Sequence, residues 1–235
     1  MDAPARVISV NTSRPRVVPY TDAAGGLTGI GKRPVAGPVE VAAPGPRGAG
    51  GSGLAGDAVC DLRFHGGDDQ AVYAYAREDL DHWQRQLGRP LPDGAFGENL
   101  TTTGYDLNSA LIGERWRIGA RLVLEVTSGR IPCRTFVGWL DENGADATGW
   151  VKRFTHAARP GPFLRVVTPG PVAAGDPLTV LSRPGHEVSV AYLFRAMTTA
   201  PELLPRALEA AGDAMNATYA EVIRHRLAAP DPAGA

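Results

Sequence analysis

The sequence predicts an α+β protein in which a barrel-like sheet with packed helices, over residues 1–184, is followed by a small helical region over 185–235. Three observations carry that reading. From "RVISVN" to "PLTVLSR" the chain is a series of short β-branched segments broken by Gly and Pro, the texture of a compact sheet or barrel. One stretch inside it, "AYAREDLDHWQRQL", repeats its apolar residues at helical spacing instead. After Pro184 the pattern changes to three amphipathic stretches.

Taken in order, "RVISVN" opens the sheet. Residues 43–56, "APGPRGAGGSGLAG", hold too many glycines and prolines for a regular element and predict a flexible loop. The helix is expected over Ala74–Leu87, with Tyr75, Leu80, Trp83 and Leu87 on one face and Gly88 as the stop. In "RLVLEV", Leu122, Leu124 and Val126 alternate with Arg121, Val123 and Glu125, as a strand with one buried face requires; "LRVVTPG" and "DPLTVLSR" read the same way. The C-terminal stretches are "VSVAYLFRAMTT", "PELLPRALEAAG" and "NATYAEVIRHRLA", with Pro201 opening the second and Gly212 closing it. Helices this short are not stable alone, so the stripe of Val190, Leu193, Phe194 and Met197 needs a partner surface. The tail "APDPAGA" is expected to fray.

Composition narrows the function. With 24 basic and 25 acidic residues the formal charge is −1, which gives no bulk attraction for nucleic acid or an anionic membrane. No apolar run approaches the ~18 residues of a membrane span, and "MDAPARVISV" lacks the plan of a secretory signal. Cys60 and Cys133 form no CxxC pair, so neither a zinc cage nor a disulfide framework is indicated. A reduced, cytoplasmic protein is the expectation.

Four stretches carry chemistry. "GIGKRPV" puts Lys32 and Arg33 after two glycines, which suits an anion site without Walker spacing; a solvated basic turn has the same residues. "RFHGGDDQAVYAY" places Arg63 and His65 before Gly66 and Gly67, a turn that turns a ring and free N–H groups toward a ligand or merely ties a histidine to a loop carbonyl. "FGENLTTTG" offers Asn99, for a heterocycle or for a turn. In "SGRIPCRTF", Cys133 stands behind Pro132 with Arg130 and Arg134 on either side. A cysteine in a cytosolic protein is commonly a small buried apolar residue, but two guanidiniums would favour its thiolate if one turns toward the sulfur, and Pro132 stiffens its approach.

Together, "GIGKRPV", "GLAGD", "RFHGGDDQAVYAY", "FGENLTT", "IGERWRIG" and "RIPCRTF", in that order and spanning nearly the whole chain, resemble the MOSC domain, which closes the molybdenum cofactor sulfurases. The resemblance is nearest to the stand-alone YiiM-like branch, with its C-terminal three-helix region. It implies a β-barrel-like domain that binds molybdenum cofactor (Mo-molybdopterin), with Cys133 as the protein's ligand to the metal. It further implies a cytoplasmic oxidoreductase that reduces small N-hydroxylated compounds, such as hydroxylaminopurine base analogues, to amines. His65 is then the candidate proton donor, and Lys32, Arg33, Arg63, His65, Gly66, Gly67, Asn99, Arg130 and Arg134 are the candidate cofactor-binding residues. Nothing in the sequence indicates flavin, haem, an iron–sulfur cluster or pyridoxal phosphate, so electrons would come from an external reductase; a homodimer is compatible with all of this. Two other readings stay open: a non-catalytic carrier of cofactor or sulfur, and a hydrolase pairing Cys133 with a histidine.

Overall fold

The computed structural model describes residues 4–229. Its main sheet has eight strands in the order β12-β8-β9-β10-β6-β7-β1-β4. These are β1 (Arg6–Thr12), β4 (Arg33–Pro34), β6 (Val72–Ala76), β7 (Leu100–Thr103), β8 (Arg115–Ile118), β9 (Leu122–Gly129), β10 (Pro162–Thr168) and β12 (Leu178–Ser182). Two small ribbons flank it, β2 (Arg16–Val17) with β3 (Leu27–Thr28) and β5 (Val39–Val41) with β11 (Gly170–Val172). The two ends of the main sheet meet, because the Val7 N–H donates to the Asp176 carbonyl (2.9 Å), Gly175 to Val7 (2.8 Å) and Leu178 to Ala5 (2.9 Å). The sheet is therefore rolled into a barrel-like shape, as the Gly- and Pro-broken strand pattern predicts.

Pairing within it is antiparallel except between β6 and β7. Parallel neighbours need a crossover, and α1 (Arg77–Leu87) supplies it, closed by Gly88 in the left-handed conformation. The expected helix from Ala74 starts three residues late. Val72–Ala76 is buried throughout between β10 and β7, so Tyr75 belongs to a central strand and not to the helix face.

The barrel interior is largely aliphatic, with Val7, Val10, Leu100, Leu122, Leu124, Val126 and Leu164 among its buried residues and Trp116 packed with them. A second core is aromatic and lies against the α1 side of the sheet, built on Tyr73, Tyr75, Trp83, Phe96, Phe136, Trp150 and Phe154. Phe136, Trp150 and Phe154 come from two helices that the sequence pattern did not reveal, α2 (Arg134–Glu142) and α3 (Trp150–Ala157). Each is short, and Gly138 in α2 reads as a breaker. It stands there because a β-carbon at that position would lie 2.3 Å from Cγ of Tyr20.

The C-terminal stretches fold as α4 (Val190–Thr198), α5 (Leu204–Ala211) and α6 (Ala217–Ala228). Ser189 caps α4 by accepting the Tyr192 N–H, and Asn216 caps α6 through Thr218 and Tyr219. The expected stripe finds its surface: Val190 and Leu193 enter the barrel core, with Met197 against it, while Phe194 joins the aromatic core. The Gly-rich segment 43–56 has no helix and a single bridge, yet it is tied down rather than free. Gly53 donates to the Ala71 carbonyl (2.7 Å), Ala42 to Gly53 (3.0 Å), and Arg47 reaches Thr218 of α6 (2.9 Å). Apart from Ala229, the tail expected to fray lies outside the described residues. Among those residues, no helix is long and apolar enough to cross a membrane.

Candidate active site

The segment Arg130–Cys133 carries the chain from the end of β9 to the start of α2. Cys133 is the residue immediately before the helix, with extended backbone (φ −125°, ψ 167°). A helix N-terminus presents positive potential, so the sulfur sits where a thiolate is favoured. Burial by itself pushes the Cys133 thiol up. The His65 side chain first, then the Arg130 charge and the Phe136 N–H, more than offset that and bring its pKa down to about 6.

Of the two flanking guanidiniums, one faces inward. Arg130 is buried, lies 4.1 Å from the Phe136 ring centroid and 5.1 Å from that of Tyr73, and donates Nη1 to the Phe96 carbonyl. Arg134 points outward and donates to Asp22 Oδ1 (2.8 Å), with two thirds of its side chain exposed. Of the two flanking arginines, Arg130 alone is on the cleft side with the thiol, and His65 lines the same cleft.

His65 approaches from the other wall. Gly66 and Gly67 behind it have φ of 79° and 78°, which glycine adopts freely. Gly66 lines the cleft, but the Gly67 N–H is taken by the carbonyls of Gly50 (2.9 Å) and Gly51 (3.2 Å), so it is not a free donor for a ligand. A β-carbon on Gly67 would lie 2.7 Å from the Arg47 backbone. Arg63 is also turned away: it is exposed, pairs with Asp61 (2.8 Å) and the Asp22 carbonyl (2.7 Å), and stacks on Phe64.

Lys32 and Arg33, read as neighbours on one anion, part company. Lys32 is buried on the cleft wall with Nζ 2.5 Å from Asp57, whereas Arg33 is exposed on β4 and does not line the cleft. Burial lowers the Lys32 pKa, and the Asp57 charge and hydrogen bond act against that. Asp57 also accepts from the Ser13 N–H (2.9 Å) and from Asn99 Nδ2 (2.8 Å). Asn99 lines the cleft, but its amide is already committed, since its Oδ1 accepts the Tyr73 N–H (3.1 Å). It orders the wall. Next to it, Glu98 is wholly buried and accepts from the N–H groups of Gly94 (2.6 Å) and Phe96 (2.9 Å) and from Thr101 Oγ1 (2.9 Å). Burial pushes its carboxyl up to about 7 despite those donors.

Cys133, His65, Gly66, Lys32, Asn99 and Arg130 therefore share one cleft. Sequence reasoning missed Asp57, which lies in the quoted "GLAGD", and Gln70, in "RFHGGDDQ"; both stand in stretches singled out for other residues. It also missed the aromatic walls Tyr73 and Phe163. Cys60 belongs to the cleft too, and not to a separate structural position. Its thiol is nonetheless unlike Cys133: burial raises its pKa, and the opposing charge of Lys32 does not reverse that.

A family model described as "MOSC domain" matches residues 61–179, which include His65, Asn99, Arg130 and Cys133. The chain belongs to the MOSC domain family. By sequence it is similar to the protein YflK of Bacillus subtilis, 33% identical over 189 residues, which is 80% of this chain and 79% of that protein. It is 31% identical over 134 residues to YiiM of Escherichia coli (56% of this chain, 57% of that protein). A protein named "Reductase" from Gibberella moniliformis is 29% identical over 167 residues, 69% of this chain but only 29% of that longer protein. The fold is that of YiiM from Geobacillus stearothermophilus, with a TM-score of 0.74 at 24% identity over 96% of this chain and 100% of that one.

MOSC domains are generally associated with molybdenum cofactor binding. Among the described residues there is no cluster of three His, Cys, Asp or Glu side chains able to hold a metal ion. A metal here must bring most of its own ligands, and Cys133 can complete the set with a soft thiolate. Arg130 and the Lys32 side of the cleft offer donors to an anionic group, and the Gln70 amide is buried without a partner.

Proposed function

We propose that this MOSC protein reduces small N-hydroxylated compounds to amines at a molybdenum cofactor held in the Cys133 cleft. The observation that carries the reading is the Cys133 thiol itself: a soft donor with its pKa at about 6, at a helix N-terminus, in a cleft with His65 and Arg130. When bound, the cofactor supplies the two-electron chemistry of N–O cleavage. The balance is R–NHOH + 2 e⁻ + 2 H⁺ → R–NH₂ + H₂O. Cys133 would ligate the cofactor through Sγ, with Arg130 favouring the thiolate form. His65, which shares the cleft with that sulfur and lowers its pKa, would deliver a proton to the departing oxygen. Lys32, neutralised by Asp57, contributes a donor more than a net charge. No electron carrier is encoded in the motifs, so a separate reductase delivers the electrons. The relative named "Reductase", in which the matched segment is a fraction of a longer chain, supports a redox role.

His65 and Cys133, which line the same cleft, are also the pair a thiol hydrolase would use. Protein made in cofactor-competent and in cofactor-deficient cells, assayed for conversion of 6-hydroxylaminopurine to adenine with a chemically reduced viologen as donor, separates the two. Amine formation by the first preparation alone is the expected result; equal formation, or none in either, overturns the proposal.

A further inference from the structure

Gln70 is 7% exposed on the wall of the Cys133 cleft, and its side-chain amide makes no hydrogen bond to any described residue. Its Oε1 is shut away from solvent as well. Leaving such a group unpaired costs about 1–3 kcal/mol, so buried amides ordinarily find partners. The other polar groups around it have done so: the Asn99 amide bonds Tyr73 and Asp57, the Tyr73 hydroxyl donates to the Pro160 carbonyl (2.7 Å), and Thr28 Oγ1 accepts the Ile30 N–H (3.2 Å). The backbone at Gln70 is fixed, its N–H donating to the Gly67 carbonyl (2.9 Å), while Asp69 beside it is clamped by Arg165 (2.8 Å) and by the Ala217 N–H at the start of α6 (2.8 Å). A free amide on a fixed wall is completed by what enters the cleft.

The surroundings limit what that can be. A primary amide presents an acceptor and a donor side by side, the complement of a ring edge that carries a donor next to an acceptor, as when Gln or Asn pairs with adenine N6 and N7. Tyr73 and Phe163 line the same cleft with ring centroids 5.1 Å apart, and the Tyr73 ring is pinned by its hydroxyl. Aromatic faces beside an amide suit a flat, nitrogen-rich ring better than a flexible chain.

We propose that Gln70 reads the donor–acceptor edge of a planar nitrogen heterocycle bound beside Cys133. The assignment rests on the reading of the cleft as a cofactor and substrate site. Two ligands share that chemistry, the pterin of the cofactor and a purine-like substrate. Full-length protein from cofactor-deficient cells is titrated calorimetrically with 6-hydroxymethylpterin, and protein from cofactor-competent cells with adenine, each as wild type, Gln70→Met and Gln70→Asn. Methionine keeps the length and removes both polar atoms; asparagine keeps the amide and withdraws it, so it controls for a folding defect in the first variant. Thermal unfolding of Gln70→Met is expected at or above the wild-type midpoint, because an unpaired polar group has been removed.

The expected result is a loss of about tenfold or more, roughly 1.4 kcal/mol, in the affinity of one probe for both variants. Weakened pterin binding assigns Gln70 to the cofactor; weakened adenine binding with pterin unchanged assigns it to the substrate. Wild type that binds neither probe, or variants that bind both as wild type does, overturns the proposal. Neither titration reads molybdenum, so a protein without metal would count against the redox reading and leave the test of Gln70 standing.

Discussion

Replacing His65 by Ala removes the neighbour that does most to lower the Cys133 pKa. The thiol lies at about 6 against an ordinary value of 9.0, a difference of about three units or ~4 kcal/mol, reached against the opposing pull of burial. A polar neighbour that favours a charged group contributes about 1.5–3 kcal/mol, so the loss of His65 should move the titration up by about one to two units, to between about 7 and 8. At pH 6.5 the thiolate fraction then falls from about three quarters to between about a quarter and a thirtieth, and alkylation slows by roughly 3- to 25-fold. The assay is the iodoacetamide rate against pH on cofactor-free protein in a Cys60→Ser background, so that one thiol reports. Wild type and variant should converge above about pH 9, where both thiols are ionised. An unmoved midpoint in His65→Ala, or a wild-type midpoint near 9, would refute the geometry described for the pair. The same depression has a stability sign. Cys133 is ionised in the folded chain and protonated in the unfolded one between about 6 and 9.0, so its contribution is complete above 9.0 and is lost as pH falls through 6.

Three further outcomes follow from the walls of the cleft. Lys32→Ala should destabilise the chain by about 3–5 kcal/mol, because it strands Asp57 as a buried unpaired charge; Lys32→Ala with Asp57→Asn should recover part of that in urea unfolding. Glu98→Gln should cost about 1–3 kcal/mol by the same measurement, since one amide oxygen cannot accept from Gly94, Phe96 and Thr101 together. Deleting residues 184–235 should give aggregated or unfolded protein by circular dichroism and sedimentation, because Val190 and Leu193 are part of the barrel core and the Tyr219 hydroxyl reaches Gly129 just before the cysteine loop; a monomeric, folded truncation would make the helices an accessory.

Much of this was legible in the sequence, and what was not has physical causes. The strands at "RLVLEV" and "DPLTVLSR" and the three C-terminal helices follow from apolar periodicity, which survives in any fold that buries those faces. Cys133 could be singled out because Pro132 and Arg130 are its neighbours in sequence as well as in space. Arg33 and Arg134 misled for the converse reason: adjacency along the chain does not say which way a side chain turns, and both face solvent while Lys32 and Arg130 face the cleft. Asp57 and Gln70 gave no signal of their own, since an Asp in a Gly-rich loop and a Gln after two aspartates are ordinary until the fold buries them. Helices α2 and α3 were hidden by their brevity and by Gly138, whose reason is the Tyr20 ring and not a turn.

The central claim is that Cys133 holds a molybdenum cofactor in this cleft. The most direct measurement is the molybdenum content of wild type and Cys133→Ser, each purified from cofactor-competent and from cofactor-deficient cells. Serine conserves the shape of the site but offers a harder and much less acidic donor. Stoichiometric metal in wild type from competent cells, with little in the other three preparations, is the expected result. Molybdenum bound equally by Cys133→Ser, or absent from wild type made in competent cells, would contradict the account.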